Sequence, residues 1–372
     1  MEIDKFSKSS FRQFPFDDDE QYLSTDSIDF DHRLTKALYP LISDHDFQSY
    51  YSVIFPSIYS LVLIPKHTPH SQKPRLEYVS NTQTQTQVGK LSFLESLDVQ
   101  IVHSCNGMFL VMSQSSQSYY ICNPRTRRLE LLPSLTSIAG NFALNLAYGP
   151  YTLPYYKVIC VKKQEHKSSI HQISIYSSKT RDWTSLGKPF VAQGDIDFSR
   201  GVFSNGSMHW MRRARKGLYL NLEDEVLREM PNPPLEEGYP LASCEYFGES
   251  QGHIFYLIGS PQLCFLKLFE MREDYMGWFL RVVIDLKALA VDFPIMGRRS
   301  NNPHPIFPRF ECDVLSVIRG FDDEDLEILL SIPGEVITYN HVKKSARKLC
   351  DSRIKAEDRQ VWYRVYASYR LF

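Results

Sequence analysis

One phrase of the sequence returns several times, and its repetition constrains the fold more than any other feature. Residues 103–133 read HSCNGMFLVMSQSSQSYYICNPRTRRLELLP, with an Asn-Gly pair at the first apolar run and an Asn-Pro turn before the last. The second half of the phrase returns as HQISIYSSKTRDWTSL, GLYLNLEDEVLREMP, FLKLFEMREDYMGWFLRVVIDL and GEVITYNHVKKSARKLC. Each copy is an apolar run with period two, a polar turn and a second run, which is typical of antiparallel strands.

The spacing of the copies indicates a stack of small sheets. Five apolar residues mark equivalent places, at spacings of 54, 45, 49 and 68 residues: Ile121, Ile175, Leu220, Phe269 and Ile337. A period of roughly 40–50 residues is typical of propeller blades, and one small sheet cannot cover its own apolar faces. We therefore predict an all-β fold, a β-propeller of about six four-stranded blades. Seven or eight blades stay open, because the interval of 68 residues has room for a divergent copy.

The two ends of the chain are expected to meet in one blade. Residues 60–102 have room for a blade before the first marker, and the segment VWYRVY near the C-terminus resembles a strand. A terminal strand that completes a shared blade removes the open edge that would otherwise invite aggregation. Deleting residues 360–372 should therefore do far more damage than trimming residues 1–25.

Three segments are predicted along the chain. Residues 1–30 are acidic and lack any hydrophobic period, which favours a disordered arm. Residues 31–58 are expected to form a short helical segment, because Leu34, Leu38 and Leu41 share one helix face, although a proline divides it. Residues 60–372 form the predicted propeller.

Composition narrows the classes of function. A net charge of −1 gives no global field that would attract nucleic acid or acidic lipid, so neither is expected as a partner. The seven cysteines are scattered singly, which predicts buried free thiols in a reducing compartment. The sequence lacks both a signal-peptide pattern and an apolar run long enough to span a bilayer. We expect a cytoplasmic or nuclear protein.

The residue types that carry catalysis lack the pattern of an active site. The sequence has no G-x-S-x-G, no phosphate-binding Gly-rich loop and no H-E-x-x-H. The pair His67 and His70 and the acidic runs at 223–225 and 322–325 are interpreted as parts of solvated loops. The basic run 211–216 is interpreted as a hairpin loop, with an import signal or a patch for an acidic partner as the alternative. No catalytic residue, metal or cofactor is predicted.

The four tryptophans are predicted to pack between blades rather than to form a ligand cage, because each stands in a strand or beside a turn: Trp183, Trp210, Trp278 and Trp362. The loops of one propeller face commonly form a binding surface. The sequence leaves open which loops would do so here.

These phrases resemble the F-box-associated domain of plant F-box proteins, whose blocks follow in the same order over about residues 40–350. GVFSNGSMHWM resembles the block G-V-x-x-N-G-x-L-H-W, and Phe269–Leu286 resembles W-x-M-x-E-Y followed by I-D-L. LAYGPYTLPYYKVICV resembles G-Y-D-x-x-x-x-D-Y-K-V, with Tyr155 where Asp is usual. We interpret the matching positions as structural: Cys105, Asn106, Gly107, Asn123, Pro124, Tyr156, Lys157, Gly201, Asn205, Gly206, His209 and Trp210.

The resemblance implies a substrate receptor of an SCF-type ubiquitin ligase. In such proteins an N-terminal F-box docks on a Skp-type adaptor of the cullin ligase, and the propeller selects the protein substrate. TKALYPLISDHDF resembles the end of an F-box, and its adaptor-docking positions would be Lys36, Leu38, Leu41, Ile42 and Phe47. The preceding pattern L-P-x-x-L-x-x-x-I-L-x-x-L-P is absent from residues 1–34.

Thirteen matching residues are fewer than the roughly 20–30 per side that a stable interface uses, so weak or no adaptor binding is expected. A truncated gene model, a divergent F-box and a true loss would each explain the pattern. Two other functions stay open. One is a stand-alone propeller that binds a protein or a glycan, and the other is a propeller glycosidase with acids converging on the channel.

Overall fold

The fold is described from a computed structural model. It describes residues 59–65, 77–81, 86–90, 99–123, 126–134, 141–149, 153–164, 169–192, 196–212, 215–235, 244–260, 264–297, 310–320, 324–351 and 363–368. The chain separates into two units, Met1–Gln48 and Ser49–Phe372, and all described residues belong to the second. The predicted acidic arm and helical segment (residues 1–58) lie outside the described residues.

Nearly all described elements are strands, numbered here in chain order. They are β1 (Tyr59–Pro65), β2 (Glu77–Asn81), β3 (Thr86–Lys90), β4 (Val99–Cys105), β5 (Met108–Ser113), β6 (Tyr119–Asn123), β7 (Arg128–Leu131), β8 (Phe142–Gly149), β9 (Leu153–Lys163), β10 (Ile170–Ser177), β11 (Asp182–Val191), β12 (Val202–Ser204), β13 (Ser207–Arg212), β14 (Arg215–Asn221), β15 (Leu227–Glu229), β16 (Cys244–Ser250), β17 (His253–Ser260), β18 (Phe265–Met271), β19 (Trp278–Asp285), β20 (Asp313–Arg319), β21 (Leu326–Ile332), β22 (Glu335–Asn340), β23 (Ser345–Asp351) and β24 (Tyr363–Ser368). The prediction of an all-β fold is confirmed.

Five antiparallel sheets are each built of four consecutive strands: blade 1 (β4–β7), blade 2 (β8–β11), blade 3 (β12–β15), blade 4 (β16–β19) and blade 5 (β20–β23). The five apolar markers named above fall on β6, β10, β14, β18 and β22, the third strand of each blade. The repeated phrase is therefore the third strand of a blade, its turn and the fourth strand. This equivalence confirms the blade interpretation of the repeat.

A further four-stranded sheet joins the two ends of the described chain. Its strand order is β24-β1-β2-β3, and β24 pairs antiparallel with β1 from Ser60 opposite Ser368 to Pro65 opposite Tyr363. We name it the closing sheet. The prediction that a C-terminal strand completes a sheet begun near the start of the propeller is confirmed for residues 363–368.

Neighbouring sheets meet along their first strands. Contacts run from β4 to β8, from β8 to β12, from β12 to β16 and from β16 to β20, while β24 contacts both β20 and β4. This cyclic order of strands is the arrangement of a β-propeller.

The described residues of the long interval before the last marker do not form an extra blade. The interval contains a helix, α1 (Leu286–Asp292), and a 3₁₀ turn at Pro294–Met296. The Asp285 side chain caps α1 by accepting a hydrogen bond from the Lys287 N–H at 2.8 Å. A seventh or eighth blade is therefore not supported by the described residues, and the prediction of a hidden copy here is wrong.

The apolar cores lie where blades face one another. One core joins blades 1 to 3 and includes Leu110, Val158 and Trp210, and a second joins blades 4 and 5 and includes Leu257 and Ile328. All five side chains are fully buried. Each sheet thus shelters its neighbour, which is the physical reason for the repeat.

The cysteine prediction is confirmed for the described thiols. Six cysteines form no disulfide, and five of them are buried: Cys105, Cys122, Cys160, Cys264 and Cys312. Cys350 is half-buried.

Candidate functional site

The Asn-Gly pairs form the turns between the first and second strands of blades 1 and 3. The φ angles are 44° and 83° at Asn106–Gly107, and 46° and 74° at Asn205–Gly206. Two successive residues in the left-handed region define the type I′ turn, whose twist matches that of the flanking strands. Gln251–Gly252 forms the equivalent turn in blade 4, with φ of 52° and 83°. Each of these turns closes an antiparallel hairpin.

The side-chain amide of each of these turns reaches the next blade. Asn106 Nδ2 donates to the Tyr148 carbonyl at 2.7 Å, and Asn205 Nδ2 donates to the Gly252 carbonyl at 2.8 Å. Gln251 Nε2 donates to the last carbonyl of β20 at 2.9 Å. The asparagines thus supply both the positive φ of the turn and a bond between blades.

Cys105 adds a second contact between blades 1 and 2. Its thiol donates to the Tyr148 carbonyl at 3.2 Å and accepts from the Tyr148 N–H at 3.4 Å. Burial raises the pKa of Cys105 to about 12, so the thiol stays protonated at neutral pH. Because the thiolate is the nucleophile and the metal ligand, this cysteine is structural.

A buried polar group of residues joins blades 1, 2 and 3. His103 Nε2 donates to the Gly201 carbonyl at 2.8 Å, and its Nδ1 accepts from the Leu146 N–H at 3.2 Å. Asn145 donates to the Phe198 carbonyl at 2.8 Å and accepts from the Gly201 N–H at 2.9 Å. Burial lowers the pKa of His103 to about 4, which keeps the ring neutral at pH 7. We name His103, Asn145 and Gly201 the three-blade cluster.

Gly201 is a glycine because of close packing. Its φ of −64° suits any residue. A Cβ there would lie 2.7 Å from Met208 Sδ, 2.8 Å from Trp210 Nε1 and against Asn145 Oδ1. Trp210 is itself fully buried and donates from Nε1 to the Phe198 carbonyl at 3.2 Å. The motif therefore has no room for a side chain at this position.

His209 is also a neutral, buried histidine. Its Nδ1 donates to the Val202 carbonyl at 3.1 Å, so Nε2 accepts from the Tyr275 hydroxyl at 2.7 Å. Burial lowers the pKa of His209 to about 4. The Tyr275 ring stacks on Tyr219 with centroids 4.5 Å apart, so a turn of blade 4 is fixed against blade 3.

The remaining described motif positions also make structural contacts. Lys157 Nζ donates to the Leu222 carbonyl of blade 3 at 2.8 Å, and the Tyr156 ring lies 6.2 Å from that of Tyr176. Asn123 Oδ1 accepts from the Thr126 N–H at 3.3 Å within the turn after β6. Pro124 lies outside the described residues.

Two tryptophans tie the fourth strand of one blade to the exit of the previous blade. Trp183 Nε1 donates to the Pro133 carbonyl at 3.0 Å, and Trp278 Nε1 donates to the Pro231 carbonyl at 3.0 Å. The leucine-proline or methionine-proline ending of one phrase is thus joined to the tryptophan of the next. With the buried Trp210, these bonds confirm the prediction of packing between blades, while Trp362 lies outside the described residues.

Sequence reasoning missed a row of charged side chains across blade 4. His253 Nδ1 and Glu270 Oε1 are 2.8 Å apart, and Arg281 Nε lies 2.9 Å from Glu270 Oε2. Beside them, Glu249 Oε1 accepts from the Gly252 N–H at 2.6 Å. The one signal in the sequence for this bond was Glu249 standing three residues before Gly252, a glycine at a hairpin turn. The charges on β18 and β19 carry no local signal, because strand pairing alone brings them together.

The acidic run 223–225 lies where a solvated loop was expected. Residues 223–225 belong to the turn after β14, in which Asp224 pairs with Arg228 at 2.6 Å. The prediction that the basic run 211–216 is a solvated loop is not confirmed: Met211 and Arg212 belong to β13, and Arg215 and Lys216 belong to β14. Lys216 pairs with Glu229 at 2.9 Å on the surface.

Several predicted residues cannot be placed, because they lie outside the described residues: His67, His70, Asp322, Asp323 and the adaptor-docking positions Lys36, Leu38, Leu41, Ile42 and Phe47.

The chemistry available to this arrangement is that of a scaffold. Both buried histidines are neutral and bonded on both ring nitrogens, and the buried thiol of blade 1 is protonated. Within the part of the chain that the structure describes, no three His, Cys, Asp or Glu side chains are grouped to hold a metal ion. Of the described helices, none has the length and apolar character needed to cross a membrane.

Comparison with known proteins agrees with the resemblance in the motifs. Residues 54–227 match the F-box associated beta propeller domain. An F-box protein of Arabidopsis thaliana is 30% identical over 281 residues, which cover 70% of this chain and 66% of the relative's length.

The solved structures that resemble the chain are distant. A chain of the nidogen/laminin complex is 8% identical with a TM-score of 0.44, covering 83% of this chain and 98% of that chain. Oligogalacturonate lyase from Vibrio parahaemolyticus is 11% identical with a TM-score of 0.43, covering 80% and 82%. Likenesses of this size say nothing about activity.

The domain match begins just before β1 and ends in β15, and it includes the motif positions from Cys105 to Trp210. This chain therefore belongs to the family of proteins that carry an F-box associated β-propeller domain.

Proposed function

We propose that this protein is a substrate-recognition subunit related to the F-box receptors of SCF-type ubiquitin ligases, and that its propeller binds the protein to be ubiquitinated. The observation that carries the proposal is the 30% identity to an F-box protein over 281 residues, together with the domain match. A non-enzymatic role is supported by the neutral, bonded state of the buried histidines and thiol. The protein would work in the cytoplasm or nucleus, where ubiquitin ligases act on folded substrates.

The scaffold we infer is a closed ring of six blades, with the closing sheet as the sixth. The support is that β24 contacts both β20 and β4, so the first strands follow one another in a cycle. A closed ring has no open sheet edge between its ends, which favours a rigid platform for loops.

Target recognition is assigned to the face opposite the tight first turns of the blades. The turns at Asn106–Gly107, Asn205–Gly206 and Gln251–Gly252 are two residues long, and their side chains are engaged in bonds between blades. The connections between blades are longer, and the one from β19 to β20 includes α1. Longer loops on a rigid scaffold are the usual carriers of specificity.

Docking on a Skp-type adaptor is expected to be weak. Only thirteen residues, at 35–47, resemble the end of an F-box, and a stable interface needs more than about 1,200 Å² in total. Recruitment to the cullin ligase would then depend on a partner or on residues beyond the recognised motif.

The test is a paired affinity purification from plant cells with the full chain and with a variant lacking residues 360–372, the second serving as an open-ring control. We expect at least one protein that binds the full chain alone and whose ubiquitination rises when the full chain is overexpressed. Bound proteins whose ubiquitination never responds, or glycan-array binding without any protein partner, would contradict the proposal. Stoichiometric recovery of the Skp-type adaptor through residues 1–60 would contradict the weak-docking part alone.

A further inference from the structure

The turn between β16 and β17 joins three blades. The Gly252 carbonyl accepts from Ser204 Oγ at 3.0 Å and from Asn205 Nδ2 at 2.8 Å, both in blade 3. On the other side, Gln251 Nε2 donates to the Arg319 carbonyl of blade 5 at 2.9 Å. We name the pair of residues 251 and 252 the blade 4 turn. Its position decides whether blades 3 and 5 are both tied to blade 4 at this end of the sheets.

A carboxylate of the same hairpin holds this turn. The Gly252 N–H donates to Glu249 Oε1 at 2.6 Å. A hydrogen bond to an ionised acceptor is roughly twice as strong as one to a neutral acceptor. The strength with which the turn is held therefore depends on whether Glu249 carries its charge.

Titratable groups on three strands lie close enough to Glu249 to act on its charge. His253 on β17, Cys105 on β4 and Tyr246 on its own strand interact with it electrostatically. Burial raises the pKa of both Cys105 and Tyr246 to about 12, so these two are neutral near pH 7. Two further strands, β12 and β20, pack on β16. Near the blade 4 turn, β12 contributes Ser204 and β20 contributes the carbonyl of its last residue.

Burial also acts on Glu249 itself. It raises the pKa of this carboxyl to about 7, against the opposing effects of the Gly252 N–H and His253. A surface glutamate would be fully ionised at that pH. The carboxyl therefore changes charge within the physiological range.

We propose that Glu249 is a proton-sensitive latch on the blade 4 turn. When ionised, Glu249 accepts a strong hydrogen bond from the Gly252 N–H and holds the turn in place between blades 3 and 5. When Glu249 is protonated this hydrogen bond is weaker, and the turn opens to solvent more often.

The local and global consequences of protonation have opposite signs. The folded carboxyl binds its proton more tightly than the unfolded one, so the whole fold gains stability as pH falls from about 7 toward 4.5. Over the same range the blade 4 turn loosens. A probe confined to the turn separates the two effects.

The experiment is a pH titration of the full ¹⁵N-labelled chain, following the Gly252 amide by NMR. We expect its proton shift to move upfield with a midpoint near pH 7 as pH falls, and its hydrogen exchange, corrected for intrinsic pH dependence, to accelerate. Glu249→Gln should abolish both changes. Glu335→Gln is the matched control, because Glu335 bonds the exposed Lys348 in blade 5 and should leave the Gly252 titration unchanged.

A Gly252 amide that does not respond between about pH 6 and 8 in the unsubstituted protein would overturn the proposal. A response that persists in Glu249→Gln would also overturn it, because a group other than Glu249 would then be titrating. If that variant does not fold, the ¹³C carboxyl shift of Glu249 in the unsubstituted protein decides: a midpoint near the ordinary value of about 4.5 refutes the latch.

Discussion

Replacing Gly201 by alanine should destabilise the protein, although the backbone angles at this position suit any residue. The new Cβ would fall 2.7 Å from Met208 Sδ, 2.8 Å from Trp210 Nε1 and against Asn145 Oδ1. Asn145 and Trp210 are fully buried and held by hydrogen bonds, so neither can move aside without breaking one. Overpacking of a core costs about 1–3 kcal/mol, and one lost hydrogen bond about 1 kcal/mol.

The expected loss is therefore about 2–4 kcal/mol of the free energy of unfolding. It would be measured by urea unfolding followed by tryptophan fluorescence, with near-UV circular dichroism to report the surroundings of Trp210. Since 1 kcal/mol shifts the melting temperature of a domain of 150–250 residues by about 2–4 °C, a decrease of several degrees should accompany it.

Gly277→Ala is the matched control. No heavy atom lies within 4 Å of a Cβ built at Gly277, and its backbone is not in the left-handed region. The variant should stay within about 0.5 kcal/mol of the unsubstituted protein, or gain slightly because the unfolded chain loses freedom. If Gly201→Ala is as stable as Gly277→Ala, the three-blade cluster is not packed as described.

Three further outcomes are expected. Burial lowers the pKa of His103 and His209 to about 4, against about 6.5 in the unfolded chain, so the free energy of unfolding should fall as pH drops from 6.5 toward 4. The loss should approach about 3 kcal/mol for each ring. Urea unfolding of the Glu249→Gln variant at several pH values measures this, and a flat profile would contradict it. Trp278→Phe should cost about 1 kcal/mol by removing the bond to the previous blade, measured as a lower urea midpoint at constant slope. Deleting residues 360–372 removes β24 from the closing sheet and should abolish cooperative melting, whereas deleting residues 1–25 should leave the melting temperature nearly unchanged; equal effects would refute ring closure.

The strand pattern and the hairpin turns could be predicted because their causes are local. Alternation of apolar residues places Ile121 and Ile337 on third strands, and Asn-Gly supplies two left-handed residues wherever it stands. The number of blades was harder to predict, because a long spacing between two markers can mean either an extra blade or an insertion between blades. The interval before Ile337 includes α1 and the 3₁₀ turn that follows it, and sequence spacing alone could not distinguish such an insertion from a missing sheet.

The candidate site also combines features that are local in sequence with features that depend on the tertiary fold. The motif positions Asn205, Gly206 and His209 were recognisable from sequence as one block. Their partners were not, because Gly252 and Tyr275 lie 47 and 66 residues further along the chain. Glu249 also escaped notice, since a glutamate in a half-polar strand looks solvated until its surroundings are known.

The sequence by itself determined that this chain forms small antiparallel sheets that must stack, because alternating apolar faces and left-handed turns are properties of neighbouring residues. Tertiary structure alone decided which side chains meet across blades, and therefore which histidines stay neutral, which glycine lacks room for a methyl group and which carboxylate titrates near neutrality. Burial and hydrogen bonding between distant segments set these properties, and both depend on how the sheets are arranged around the ring.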